Sequence, residues 1–312
     1  MTGPDTQRPT VPGGTTAATG GAQDRAAFDR LLVELRSKLH RYCARMAGSV
    51  IDGEDVLQET LAKAIEAYSR SATIGNPEGW LFRIAHNAAL DFRRRRARQA
   101  AEGSDEELAM IVDPVNATAN REIVATGLRS FMHLPIAQRS SVILMDVLDY
   151  SLREIADILD TSVPSVKAAL HRGRERLRDL AQEPDDRPAS ALTDRDRSLL
   201  ATYVERFNAR DFAAIRDMLA DEVRLELVAK SRMSGRAEVS RYFHNYSGAD
   251  DWHLRWGFVE GRPAALVNHP SDPSGRPAYF ILLNWAKDGL LDIRDFRYAR
   301  YAMDGADLRI CG

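Results

Sequence analysis

Three groups of residues have the types and spacing to bind something charged. Lys167, His171, Arg172, Arg174, Arg176 and Arg178 crowd one short segment. Their ammonium and guanidinium groups are the donors that phosphate oxygens select. The run Arg93-Arg94-Arg95-Arg96 follows Trp80-Leu-Phe-Arg-Ile-Ala-His-Asn, which mixes phosphate donors with groups that can meet bases. Asp55 and Glu59 form the third group, suited to a basic partner. Each group also has a plainer explanation. A basic helix can simply be solvated, an arginine run complements a helix C-terminus, and acidic residues favour a helix start.

The elements that position these residues are helical. In Leu134 to Arg178, Ser151 and Glu154 have capping-box spacing, and Ile155, Ala156 and Leu159 form the inward face of a short helix. Asp160 to Ser162 makes a turn, and Ser162 caps a second helix whose Val166, Ala169 and Leu170 point inward. Pro164 is tolerated in its first turn. This spacing predicts a helix-turn-helix, whose second helix leaves Ser165, Lys167, Ala168, His171 and Arg172 outward. In that motif the N-terminal side chains meet base edges and later basic residues meet phosphates. Ser165, Lys167 and Ala168 are then base-reading candidates, with His171, Arg172, Arg174, Arg176 and Arg178 nearer the backbone. In the arginine-rich segment, Asn76-Pro77 opens a helix to about Gln99. Its spacing turns Trp80, Ile84, Ala88 and Phe92 to a core and Arg83, Asn87, Leu90 and Arg94 to another side, with His86 between. Asp55 and Glu59 sit one turn apart on a helix opened by Asp52-Gly-Glu-Asp, with a stripe of Val56, Leu57, Leu61, Ile65 and Tyr68. That like-charge spacing costs a little unless a basic group relieves it.

The chain has 312 residues, 44% hydrophobic and 28% charged, enough for two or three domains. Its formal net charge of −2 argues against coating nucleic acid through bulk charge, so DNA contact must come from local patches. No apolar run is long enough to cross a bilayer. Cys43 and Cys311 have no metal-ligand or disulfide-framework spacing, which suits a reducing cytoplasm. Residues 1–24, rich in Thr, Gly and Pro, read as a disordered leader. Phe28, Leu31, Leu32, Leu35, Leu39 and Tyr42 mark a first helix. Acidic and Pro-containing stretches at 100–120 and 183–193 read as linkers, with few core contacts expected to cross the second. Beyond Leu192 the pattern becomes α+β. Helices at Asp194–Asn208 and Phe212–Ala220 precede candidate strands near Val223–Val228, Trp252–Val259, Ala264–Asn268, Ala278–Ala286 and Leu291–Met303.

The three charged segments, in this order over about Phe28 to Leu180, resemble the two domains of sigma-70 family factors in their shortest, extracytoplasmic-function form. The resemblance implies two all-α domains, region 2 at 25–99 and the helix-turn-helix region 4 at 121–182. It implies that Asp55, Gln58 and Glu59 grip the coiled coil of the polymerase β′ subunit and that region 4 meets the β flap. Arg83, His86, Asn87, Arg93 and Arg94 would engage the melted −10 promoter element. Ser69 to Gly75 occupies the place where such factors capture a flipped base. Ser165, Lys167, Ala168, His171, Arg172, Arg174 and Arg176 would read the −35 element. Residues 194–312 resemble a SnoaL-like domain, an α+β cone of helices and a curved sheet, with an interposed helix near Gly235 to Tyr246. The Trp-Leu-Pro linker motif and the Asp-Gly-Gly-Gly-Lys motif carried by many sigma factors with such a domain are absent. His244, His253 and His269 invite a catalytic reading, but spacing fixes no proton-transfer set. The expectation is a cytoplasmic sigma factor without cofactor, metal or enzymatic activity, regulated by its C-terminal domain. Its partners would be core RNA polymerase and promoter DNA, with a small ligand or an anti-sigma factor left open. The alternatives are a ligand-responsive helix-turn-helix regulator and a SnoaL-like enzyme.

Overall fold

The computed structural model describes residues 16–70, 74–101, 127–180, 193–244, 246 and 252–311, with side chains from Arg25 and without those of residues 100 and 101. Most of both linkers and residues 71–73 of the base-capture loop lie outside the described residues. The chain divides at Arg36/Ser37 into two compact units. The first helix, α1 (Thr16–Ala47), begins inside the segment expected to be a disordered leader. Ala17, Ala18 and Ala22 there favour helix, and the Gly-rich composition concealed it.

In the second unit, α1 turns at Gly48, whose φ of +78° is left-handed, into α2 (Val50–Tyr68). Ser49 caps α2 by accepting from Asp52 N (3.1 Å), so the helix starts before the expected Asp52. Gly53 lets the two helices touch, since a Cβ there would lie 2.5 Å from Ala44 Cα. In α2, Val56 and Leu57 are buried as expected, whereas Ile65 is exposed. Asn76 opens α3 (Pro77–Ala101) by accepting from Gly79 N (3.0 Å). The buried residues of α3 are Leu81, Phe82, Ala85, Ala88 and Ala89; Trp80, Ile84 and Phe92, expected inward, are only partly covered. The face is turned because α3 packs on two partners: Phe82 lies edge-on to Tyr42 of α1 (5.7 Å) and to Tyr150 (5.2 Å) of the second helical part.

That second part comprises a 3₁₀ turn (Leu128–His133), α4 (Ile136–Val142) running on through a π turn, α5 (Leu152–Ile158) and α6 (Val163–Leu180). The expected capping box is present, with Glu154 N donating to Ser151 Oγ (3.3 Å) and Ser151 N to Glu154 Oε2 (2.8 Å). Ser162 accepts from Ser165 N (3.3 Å) at the start of α6, and Val166, Ala169 and Leu170 are buried. Ile158 rather than Leu159 completes the buried face of α5. Arg139 is wholly buried and donates to Met46 O (2.9 Å), Met132 O (2.8 Å) and Leu134 O (2.9 Å), tying this part to the end of α1.

The third part is α+β. Helices α7 (Asp194–Asn208) and α8 (Phe212–Asp217) precede β1 (Leu219–Leu227) and β2 (Ser231–Ser234); α9 (Arg236–His244) is interposed before β3 (His253–Val259), β4 (Arg262–Asn268), β5 (Tyr279–Ala286), β6 (Gly289–Asp295) and β7 (Leu308–Ile310). This is the SnoaL-like element order expected from the sequence. The seven strands form one sheet in the order β2-β1-β6-β5-β4-β3-β7, with β1 and β6 parallel and the other neighbours antiparallel. Strand alternation gives the sheet two faces. The inner face, with Leu225, Ala265, Ile281 and Ile293, joins Tyr203, Phe207, Phe212 and Phe243 of the three helices in an aromatic-rich core. The outer face, with Val259, Ala264, Leu266, Phe280 and Phe296, shares a second core with Ala44, Val50, Ile51 and Leu128 of the helical parts. Apolar contacts therefore do cross from the C-terminal domain to the rest, against expectation. Phe280 and Phe296 are fully buried in this shared core, and sequence alternation alone cannot tell a covered second face from a wet one.

Candidate functional site

The face of α2 that carries the acidic residues is occupied from within the chain. Asp55 accepts from Arg294 Nη2 (2.7 Å) of β6, and Gln58 donates to Glu226 Oε1 (3.0 Å) of β1 while accepting from Arg232 Nη2 (2.8 Å) of β2. One turn earlier, Asp52 accepts from Arg262 Nη2 (2.6 Å) of β4 and also pairs with Arg96. Glu260 completes the seam: its carboxylate accepts from Val50 N (2.7 Å) and Ser49 Oγ (2.6 Å) at the start of α2, where a helix dipole favours negative charge. Tyr301 donates to Glu54 Oε2 (2.9 Å). Glu59 faces elsewhere, toward Arg95 Nη2 (2.6 Å) and Lys63 Nζ (2.8 Å). The repulsion between Asp55 and Glu59 is thus relieved by separate cations, one from the far end of the chain.

Charge states follow from these surroundings. Burial raises the Asp55 carboxyl above its ordinary range, with Arg294 pulling the other way. Burial also raises Glu260. Burial would raise Glu226 and Glu59 as well, but Arg294, Gln58 and Arg232 hold Glu226 below the usual range, and Arg95 and Lys63 do the same for Glu59.

On α3, Arg83 and Asn87 are exposed, and the Arg83 guanidinium donates to Asp157 O of α5. His86 is partly covered, with Nδ1 2.8 Å from Tyr42 Oη, and burial lowers its pKa. Arg94 is exposed beside Asp91 (3.7 Å), whereas burial lowers Arg93, which lines a cleft with Asp52, Glu260 and Arg262. The −10 candidates therefore do not form one open surface in this arrangement. On α6, Ser165, Lys167, His171 and Arg172 are exposed together and Ala168 is partly so. Arg176 is partly covered. Arg174, expected near the DNA backbone, is instead drawn inward by the buried Asp146, with Nε–Oδ2 2.9 Å and Nη2–Oδ1 2.5 Å.

Sequence reasoning missed the residues that hold α2: Glu226, Arg232, Glu260, Arg262, Arg294 and Tyr301. One signal was available. Leu291-Asp-Ile-Arg-Asp alternates apolar and charged side chains, which marks a sheet face carrying charge; nothing in it says what that charge meets. The three histidines do not converge on a metal, since no cluster of potential ligands occurs among the described residues. The acid of the inner core is Asp295, which accepts from Tyr242 Oη (2.5 Å), Tyr246 Oη (3.0 Å) and Arg297 N (2.8 Å); burial raises its pKa. No helix is long and apolar enough to cross a membrane among the described residues.

Comparison with known proteins adds the following. Residues 31–99 match the family model for sigma-70 region 2, and residues 128–177 that for sigma-70 region 4. The ECF RNA polymerase sigma factor SigG of Mycobacterium tuberculosis is 32% identical over 293 residues, covering 85% of this chain and 79% of that protein. Among solved structures, the extracytoplasmic function sigma factor SigJ of Mycobacterium tuberculosis is 18% identical with a TM-score of 0.31, covering 84% of this chain and 93% of that one. A SnoaL-like protein from Burkholderia thailandensis is 14% identical with a TM-score of 0.26, covering 37% of this chain and 93% of that one.

Proposed function

The chain belongs to the extracytoplasmic-function RNA polymerase sigma factors, and from that premise we propose that it is a sigma factor held in a masked state by its own C-terminal domain. A sigma factor binds core polymerase and promoter DNA and is not an enzyme. In our reading Asp55, Gln58 and Glu59 meet the β′ coiled coil, and region 4 meets the β flap. Arg83, His86, Asn87, Arg93 and Arg94 serve the −10 element. Ser165, Lys167 and Ala168 read −35 bases, while His171, Arg172 and Arg176 contact phosphate. All of this takes place in the cytoplasm, where polymerase works.

One observation carries the masking. Two of the three residues assigned to β′ are already bonded to the C-terminal domain, Asp55 to Arg294 and Gln58 to both Glu226 and Arg232. A β′ surface and the sheet cannot use the same donors and acceptors at once, so docking of the domain and of polymerase compete. Region 4 is restrained as well, through Tyr150 on Glu78, Arg83 on Asp157 O and Arg139 on Met46 O. The test is a reversible tether. With Cys311→Ser in place, Asp52→Cys and Arg262→Cys, a seam pair outside the residues assigned to β′, are bridged by a short cleavable bis-maleimide. The bridged chain should fail to bind core polymerase and regain binding on cleavage; equal binding before and after would refute masking.

A further inference from the structure

The outer face of the sheet carries a cleft of about 610 Å³ beside the α2 seam, a size typical of small-molecule sites. It crosses β2, β1, β6, β5 and β4, and Leu282 with the hydrocarbon stems of the arginines gives it apolar surface. It lies on the opposite side of the sheet from the aromatic core, which is filled by side chains of α7, α8 and α9. Its charge is unbalanced: Arg224, Arg232, Arg262 and Arg294 line it against Glu226 and Asp292. Two carboxylates of α2 make up the difference, Asp52 on Arg262 (2.6 Å) and Asp55 on Arg294 (2.7 Å). Arg232 is likewise shared, reaching Gln58 (2.8 Å). Arg224 alone has no contact with α2; it uses Nε on Asp292 (2.8 Å) and is largely exposed.

We propose that this cleft binds an amphipathic anion, a carboxylate or phosphate head on an apolar body, and that the head releases α2 by taking the guanidinium donors that now hold it. This rests on the masking read above. The cleft has surplus positive charge only when Asp52 and Asp55 leave, so the anion binds the open state better than the masked one. A ligand shifts a two-state equilibrium by its differential affinity for the two states. Linkage then makes ligand and core polymerase each strengthen the other's binding. An apolar body is required because the walls between the arginines are hydrocarbon, and a cation is excluded by the sign of the lining.

The test uses the full chain and four probes below their micelle concentrations: decanoate, decyl phosphate, decyltrimethylammonium and inorganic phosphate. Calorimetry should show saturable binding of decanoate or decyl phosphate, lost in Arg224→Gln, which removes a head-group donor without touching α2, and in Asn284→Trp, which fills the exposed side of the cleft. Saturating anion should raise core-polymerase affinity about tenfold in the native chain and leave both variants unchanged. Absent binding, or equal binding by the variants, would overturn the ligand site. Equal binding of decyltrimethylammonium would overturn the anion, and equal binding of inorganic phosphate the apolar body. Binding at the cleft without change in polymerase affinity would overturn release. Arg294→Glu separates this proposal from the one it rests on: if that variant gains polymerase affinity while the probes do nothing, masking stands and the ligand fails.

Discussion

Reversing the charge of Arg294 should open the masked state. Arg294 donates across the seam to Asp55 (2.7 Å) and within its own domain to Glu226 (2.9 Å). A charge-assisted hydrogen bond contributes about 1.5–3 kcal/mol. The Asp55 side chain is 46% exposed, so screening reduces the crossing bond to about 1 kcal/mol. Arg294→Ala should therefore shift docking about fivefold. Arg294→Glu adds repulsion from Asp55 across the seam, while repulsion from Glu226 in its own domain is the same docked or parted and cancels. At an effective dielectric of about 20, a like-charge pair near 4 Å costs about 4 kcal/mol, and side-chain reorientation relieves part of it. A net shift of about 3 kcal/mol, roughly a hundredfold, follows. Apparent affinity for polymerase scales with the open fraction, so it should rise by up to that factor and then saturate. Fluorescence anisotropy of the labelled chain titrated with core polymerase reads it directly, with thermal melting as the folding control. If Arg294→Glu melts like the native chain and binds core no better, the acidic face of α2 is not masked by this contact.

Other substitutions have equally definite outcomes. Arg139→Met leaves the carbonyls of Met46, Met132 and Leu134 without their donor, at about 1–3 kcal/mol for each one left dry, and should lower the melting temperature by several degrees. An unchanged melt would contradict the role given to that guanidinium, whose pKa burial has pushed down to about 9. Asp295 has a folded-state pKa above its unfolded value, so its contribution to stability is present at low pH and is lost as pH rises through the raised value. The melting temperature of the native chain relative to Asp295→Asn should accordingly fall as pH is raised from about 4 toward neutrality, and a flat difference would refute the raised pKa. Lys167→Ala should change preference among −35 sequences, whereas Arg172→Ala should weaken all of them alike and reduce the salt slope by about one. Identical effects of the two on a promoter panel would refute the orientation of α6.

What sequence could show depended on how local the cause was. Ser151 and Glu154, Ser162, and Asn76 with Pro77 each act within a few residues, and each cap is where spacing placed it. The helix Asp194–Asn208 and five strand regions were legible because each has an apolar face of the right period, although the last strand ends at Asp295 and a 3₁₀ turn takes up Arg300–Met303 where strand was expected. β2 and β7 were not, being edge strands of four and three residues with mostly exposed side chains. The inward face of α3 was misread by about one position because a second partner, Tyr150, covers Phe82 from a side that periodicity assigned to neither face. The outward side of α2 was found, but not what covers it. Asp55 and Arg294 are 239 positions apart, and no local pattern couples residues at that separation.

The seam over α2 is built so that several of its groups keep a neighbour when it parts. Asp52 keeps Arg96, Glu226 keeps Arg232, and Gln58 keeps a longer contact to Glu54 (3.4 Å). Ser49 goes on capping the helix without Glu260, because its hydroxyl still accepts from Asp52 N. Parting therefore strands few lone charges in a dry place, the situation that makes buried ion pairs so costly to break one partner at a time. A contact of this kind acts as a latch with a low lip: it can be shut in the resting molecule yet released and refastened without unfolding either side. Phe280 and Phe296 likewise keep each other, with stacked ring centroids 4.2 Å apart, when the seam parts.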